Sequence, residues 1–337
     1  MKRLFPYFLA SLGAVFACVA VLAPASAHPI DRIFVIMMEN QSFDNVIGRH
    51  DASHPTLLDT PYITGLAQAN GLSTLYFGVT HPSLPNYVAL ISGQFASVHS
   101  DDPSCYAQPK PQGRCVSFRN VPTLVDSLEA KGMTWSAYFQ KMPAAGFLGV
   151  QYPSSTVLYA QKHNPFVYFN TIAHNPARLA LLKPIGDLTK DLALGANAPQ
   201  FEFIVPDQCH DMHGTTPCSS FDPLVREGDR MVEGLVSQIE TSPAFTADSL
   251  IFVTFDEDDY SSNFGCCDSP YFPNGQIFGG GHTVTIVVSG TAGGPLVSPV
   301  AYNEYSLLST IENVWSLPPL GYTADIANVH PMLDLIR

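Results

Sequence analysis

RIFVIMMEN, residues 32–40, decides the fold. Six consecutive apolar residues follow Arg32, so this strand cannot lie in a sheet with one wet face, where apolar and polar positions alternate. It fits a strand covered on both sides, as in a parallel sheet flanked by helices. The segments 72–77, 134–139, 201–205, 250–255 and 283–288 read the same way. Helical patterns fall between them at 84–91, 123–130 (stopped near Gly132), 226–239 and 305–314. This alternation predicts a three-layer α/β/α sandwich with a mainly parallel central sheet. No internal repeat or composition break appears, so residues 28–337 are expected to form a single domain. The stretch 95–120, rich in proline and carrying two cysteines, reads as an excursion over the surface.

Composition excludes several classes. With 46% hydrophobic and 13% charged residues the chain is too apolar for disorder. A formal charge of −13 and no basic patch argue against a nucleic-acid partner. Lys2 and Arg3, an apolar run over 4–22 and Ala25-Ser26-Ala27 together read as a signal peptide over 1–27. The run approaches membrane-spanning length, but the small-residue ending favours cleavage. The mature protein is then secreted or periplasmic, without stable membrane insertion. Six cysteines remain, and an even number in an oxidising compartment, without a C-x-x-C pair, favours disulfides. Cys105–Cys115 and Cys209–Cys218 each bracket a short loop and are the expected bridges. Cys266 and Cys267 are adjacent, and either bond to each other or hold two different partners.

In doubly wound sheets the ligand site lies beyond the carboxyl ends of the strands. Glu39 and Asn40 follow the first strand, and Thr80-His81-Pro82-Ser83 follows the second and opens a helix. Asp207 to His213 follows 201–205, Asp256 and Glu257 follow 250–255, and Gly279-Gly280-Gly281-His282 precedes the last strand. Carboxylates, histidines and one hydroxyl thus share one edge, where a metal centre would be built. A serine before a helix ordinarily caps it, yet the helix's first N–H groups also favour an anion in front of Ser83. Asp256 and Glu257 would repel unless a cation lies between them, although an acidic turn in solvent has the same sequence. His210 and His213 stand three apart, a spacing that brings two imidazoles to one ligand. The glycines before His282 would let backbone approach a ligand closely.

Six stretches together resemble a known family: IFVIMMENQSFDNVIG (33–48), THPSLPNYVALISG (80–93), KHNPFVYF (162–169), FIVPDQCHDMHG (203–214), VTFDEDD (253–259) and EYSLLSTIENVW (304–315). They are similar to the bacterial phosphoesterase family, which holds acid phosphatases and phospholipases C, within the alkaline phosphatase superfamily. The resemblance implies an alkaline phosphatase-like fold and one divalent metal ion held by Glu39, Asn40, Ser83, Asp256 and Glu257. It makes Ser83 the covalent nucleophile, and gives His81, His210, His213 and His282 as contacts to the phosphate or leaving group, with His282 or His210 protonating the alkoxide. The expected function is metal-dependent hydrolysis of a small phosphorylated substrate, as a phosphomonoesterase. A phospholipase C and a non-catalytic binding protein on the same fold are the alternatives. Two departures stand out: Asp258-Asp259-Tyr260 follows the carboxylate pair where a glycine-rich stretch is usual, and Glu304 occupies the place of an expected histidine.

Overall fold

The computed structural model describes residues 1, 30–50, 57–271, 275 and 278–337. Apart from Met1, the expected signal peptide lies outside the described residues. The described residues form ten strands: β1 Arg32–Met38, β2 Gly71–Phe77, β3 Trp135–Phe139, β4 Gln151–Tyr152, β5 Tyr159–Ala160, β6 Leu182–Pro184, β7 Phe201–Val205, β8 Ser249–Phe255, β9 His282–Ser289 and β10 Leu296–Tyr302. Eight make one sheet in the order β10-β2-β9-β8-β1-β7-β3-β6, and β4 and β5 form a separate hairpin. β1 runs parallel to both β7 and β8, as do β3 to β6 and β7, and β10 to β2. Only β9 is reversed, pairing antiparallel with β2 and β8. The sheet is therefore mostly parallel, as the apolar runs predict.

β1 shows why those runs are continuous. All seven of its residues are buried. Ile33, Val35 and Met37 pack into one core with side chains of the Ser83–Ser92, Leu124–Ala130 and Glu304–Val314 helices. Phe34, Ile36 and Met38 pack into a second core against the Pro61–Ala69 and Phe221–Glu240 helices. Burying both faces, at about 1.5–3 kcal/mol for each large apolar side chain, fixes the strand's register and the position of whatever follows it.

Two sheet strands escape the sequence patterns. β10 contains Pro299, which reads against a central strand, and it is tolerated because β10 is an edge. β6 is a three-residue edge strand. All three cysteine pairs are bridged: Cys105–Cys115, Cys209–Cys218 and the vicinal Cys266–Cys267. Among the described residues no helix is long and apolar enough to cross a membrane.

Candidate active site

The ends of β1 and β8 are laced together. Asp256 N–H donates to the Met38 carbonyl at 3.1 Å, and Gln41 N–H to that of Glu257 at 3.1 Å. Asn40, in the left-handed region at φ 47°, donates its N–H to Asp256 Oδ1 at 3.1 Å. Ser83 arrives from the other side of the cleft, at the start of its helix. Asn86, one turn on, fastens the preceding loop: its amide accepts from Thr80 N–H at 2.9 Å and donates to the Thr80 carbonyl at 2.7 Å. Gly78 lets that loop pass the end of β8, since a Cβ there would lie 2.6 Å from the Asp256 carbonyl.

The outcome is an oxygen cage. Ser83 Oγ lies 3.0 Å from Glu39 Oε2, 3.4 Å from Asn40 Oδ1 and 3.2 Å from Glu257 Oε1. One hydroxyl proton cannot serve three acceptors, so the convergence exceeds what hydrogen bonding needs. Glu39, Ser83, Asp256 and Glu257 are buried, and Glu39 Oε1 and Asp256 Oδ2 have no hydrogen-bond partner. Burial is the main cause that pushes Glu39 up to about 8 and raises Asp256 and Glu257. A cluster of buried carboxylates with unpaired oxygens lacks positive charge, and an all-oxygen donor set suits a hard divalent cation. The five residues expected as metal ligands therefore come together and fit that role.

The four expected histidines divide. His81 Nδ1 meets Glu257 Oε2 at 2.6 Å, while Nε2 lies 3.1 Å from the Ser262 carbonyl and 3.4 Å from Asp258 Oδ1. Burial pushes His81 down, but its hydrogen bonds to Asp258 and Glu257 outweigh that and hold it at about 9. Both nitrogens face acceptors, so His81 is a cation that braces Glu257. His213 points Nδ1 at the Gly214 carbonyl, 2.7 Å away, and Nε2 at Lys162 Nζ, 3.0 Å away. Burial and then Lys162 lower it to about 4.

The other two are not brought to Ser83. His210 turns its Nδ1 to Asp207 Oδ1 at 2.7 Å and leaves a third of its side chain exposed. It shares no ligand position with His213, because Met212 between them takes a positive φ of 77° and the chain reverses. His282 begins the reversed strand, bonds the Thr74 carbonyl at 3.0 Å and stacks on Phe43 with ring centroids 4.8 Å apart. The preceding glycines serve backbone packing: Gly280 N–H donates to the Gly78 carbonyl at 2.8 Å. His210 and His282 turn a ring nitrogen to Asp207 and to the Thr74 carbonyl respectively, and among the described residues neither hydrogen-bonds to Ser83 or the cage.

The structure adds His163 and Asp101, which sequence reasoning passed over, and gives the departure at Glu304 a place. His163 Nε2 sits 3.2 Å from Glu39 Oε1, and its Nδ1 3.4 Å from Asp211 Oδ2. Glu39, His163 and His213 present ligand atoms within 4.8 Å of one another. Burial holds His163 well below its ordinary pKa, so it is a neutral imidazole. Asp101, from the 95–120 excursion, accepts the N–H of Leu84 at 3.0 Å and pairs with Lys162. Glu304 is buried under the Ser83 loop and accepts the Val79 N–H at 2.8 Å. The signal for His163 was the 162–169 stretch, which resembles the family but follows no recognisable strand.

The mostly parallel sheet covered by helices on both faces has the fold of proteins in the alkaline phosphatase superfamily. A protein of that superfamily from Vibrio parahaemolyticus shares the fold, with a TM-score of 0.50 and 13% identity over 84% of this chain and 66% of that one. The Phosphoesterase family matches residues 56–318, and the chain belongs to it. It is 28% identical to a probable acid phosphatase of Kluyveromyces lactis over 92% of this chain and 64% of that protein, so it spans somewhat less than two thirds of that relative. It is also 28% identical to a phosphatidylinositol-3-phosphatase of Mycobacterium tuberculosis, over 93% of this chain and 85% of that one.

Proposed function

We propose that the protein is a secreted or periplasmic phosphomonoesterase that works through a phosphoserine on Ser83. One observation carries this reading: the Ser83 hydroxyl faces Glu39, Asn40 and Glu257 within 3.0–3.4 Å, with Asp256 beside them. Relatives named as phosphatases support the monoester class, and the three disulfides support an oxidising compartment.

A divalent cation held by Glu39, Asn40, Ser83, Asp256 and Glu257 would lower the pKa of the hydroxyl and offset the substrate's charge. The chain's own residues do the rest. Ser83 Oγ attacks phosphorus and forms the O–P bond as the bond to the substrate's alcohol oxygen breaks, the hydroxyl losing its proton and solvent supplying one to the departing alkoxide. Water then cleaves the seryl ester, returning the hydroxyl and releasing inorganic phosphate. His81 holds Glu257 turned toward Ser83, and Asn86 keeps the nucleophile's loop in place. The histidines divide the labour, with His81 charged and His163 and His213 neutral. Release of nitrophenol from p-nitrophenyl phosphate, bis-p-nitrophenyl phosphate and p-nitrophenylphosphorylcholine, with metal analysis of the purified protein, tests the reading. Preference for the choline diester would replace it with a phospholipase C.

A further inference from the structure

Lys162 approaches the nucleophile's helix through Asp101. Its Nζ is 3.0 Å from Asp101 Oδ2, and the other oxygen of that carboxylate accepts the N–H of Leu84, the residue after Ser83. Two hydrogen bonds therefore tie the ammonium to the backbone of the nucleophile. Its second neighbour is His213 Nε2, also at 3.0 Å, an acceptor because Nδ1–H is used by Gly214. Only about a fifth of the side chain is exposed. Lys162 also lines a cavity of about 160 Å³ with Asp101, Gln151, Tyr168 and Gln208.

The charge of the site demands such a group. Glu39, Asp256 and Glu257 carry three negative charges when ionised, and one divalent cation leaves the cage negative before a phosphate dianion enters. His81 turns both ring nitrogens to Glu257, Asp258 and Ser262 and has none left for a substrate. Lys162 has three N–H donors, and Asp101 and His213 account for two.

We propose that Lys162 is a substrate-binding residue, donating its remaining N–H to a non-bridging phosphate oxygen in front of Ser83, with Asp101 and His213 fixing its direction. The ligand class is a phosphate dianion, as the monoester's phosphoryl group or as inorganic phosphate. This inference rests on the phosphomonoesterase reading. It makes Asp101 a positioning residue, and it gives the 95–120 excursion a part in the site.

The test is calorimetric titration of inorganic phosphate into the metal-loaded wild-type protein and its variants. Lys162→Gln and Lys162→Met should each weaken phosphate binding at least about tenfold, the usual scale for a lost charge-assisted hydrogen bond. They should raise KM for p-nitrophenyl phosphate more than they lower kcat, because the contact exists in both ground and transition states. Lys162→Arg should recover most of the affinity. The variant that melts like wild type is the one to read, so a folding defect in one leaves the other. Wild-type phosphate affinity in either charge-removed variant overturns the role of Lys162 while the phosphomonoesterase stands. A wild-type protein that neither binds phosphate nor cleaves the monoester overturns both.

Discussion

The oxygen-bearing residues and the histidines of this cleft were read from the same kind of position, the ends of strands, and met different fates. Glu39, Asn40, Ser83, Asp256 and Glu257 all converge, whereas of His81, His210, His213 and His282 only His81 and His213 reach the cluster. Glu39 and Asp256 come immediately after strands buried on both faces and paired in parallel, so the sheet's register fixes where they start. His210 lies five residues beyond β7, ahead of the left-handed Met212, and His282 sits on the one reversed strand of the large sheet. Adjacency to a buried parallel strand places Glu39 and Asp256 from sequence, whereas Ser83 and His213 lie farther from their strands and are brought in by the loops that carry them.

The largest expected effect breaks the oxygen side. Ser83→Ala should lower kcat by several decades without lowering thermal stability much, since it deletes the attacking atom but little buried surface. A mutant that keeps more than about a tenth of wild-type kcat removes the covalent mechanism.

Next in size is loss of the cage. Asp256→Asn with Glu257→Gln, or exhaustive chelation, should abolish turnover and lower Tm by a few degrees, because a bound cation stabilises only the folded state. Metal-free protein that retains full activity, with elemental analysis as the check, dissolves the assignment of these five residues.

The comparison itself is sharpened by four single variants. His81→Ala and His213→Ala should cost at least about tenfold in kcat/KM, within the range general for positioned polar groups, whereas His210→Ala and His282→Ala should each stay within about threefold. A His282→Ala loss as deep as that of His81→Ala would mean the ring leaves Phe43 and Thr74 during turnover.

The fold was largely legible because burial on both faces leaves a plain pattern, and the strands expected at 32–38 and 201–205 begin and end where predicted. The oxygen cage was legible for the same reason. Lys162 and His163 were hidden because they lie on a 3₁₀ turn after the two-residue strand β5, which has no periodicity to read. Asp101 was hidden because its partner is 61 residues away in sequence and its loop has no regular structure. Glu304 read as a departure from the family, and only packing reveals that its carboxyl receives the Val79 N–H beneath the nucleophile's loop.

The smallest effect concerns a carboxyl outside the cage, and separates burial from site chemistry. Glu202 lies inside β7 with neither carboxyl oxygen hydrogen-bonded, and burial, only partly offset by Arg32, pushes it up to about 8 from 4.5. In the unfolded chain it ionises near 4.5, so between that pH and 8 the folded state holds a proton the unfolded state has lost. Its stabilising contribution is therefore complete below 4.5 and falls as pH rises through 8. Glutamine mimics the protonated form without titrating. The Tm of Glu202→Gln should match wild type near pH 4.5 and exceed it by a few degrees at pH 8, for a difference on the order of 1–3 kcal/mol. Measuring the mutant-minus-wild-type difference across pH cancels the titration of Glu39, Asp256 and Glu257, which both proteins share. A difference independent of pH would mean that Glu202 is ionised in the folded protein and that Arg32, through the buried sheet, dominates its environment.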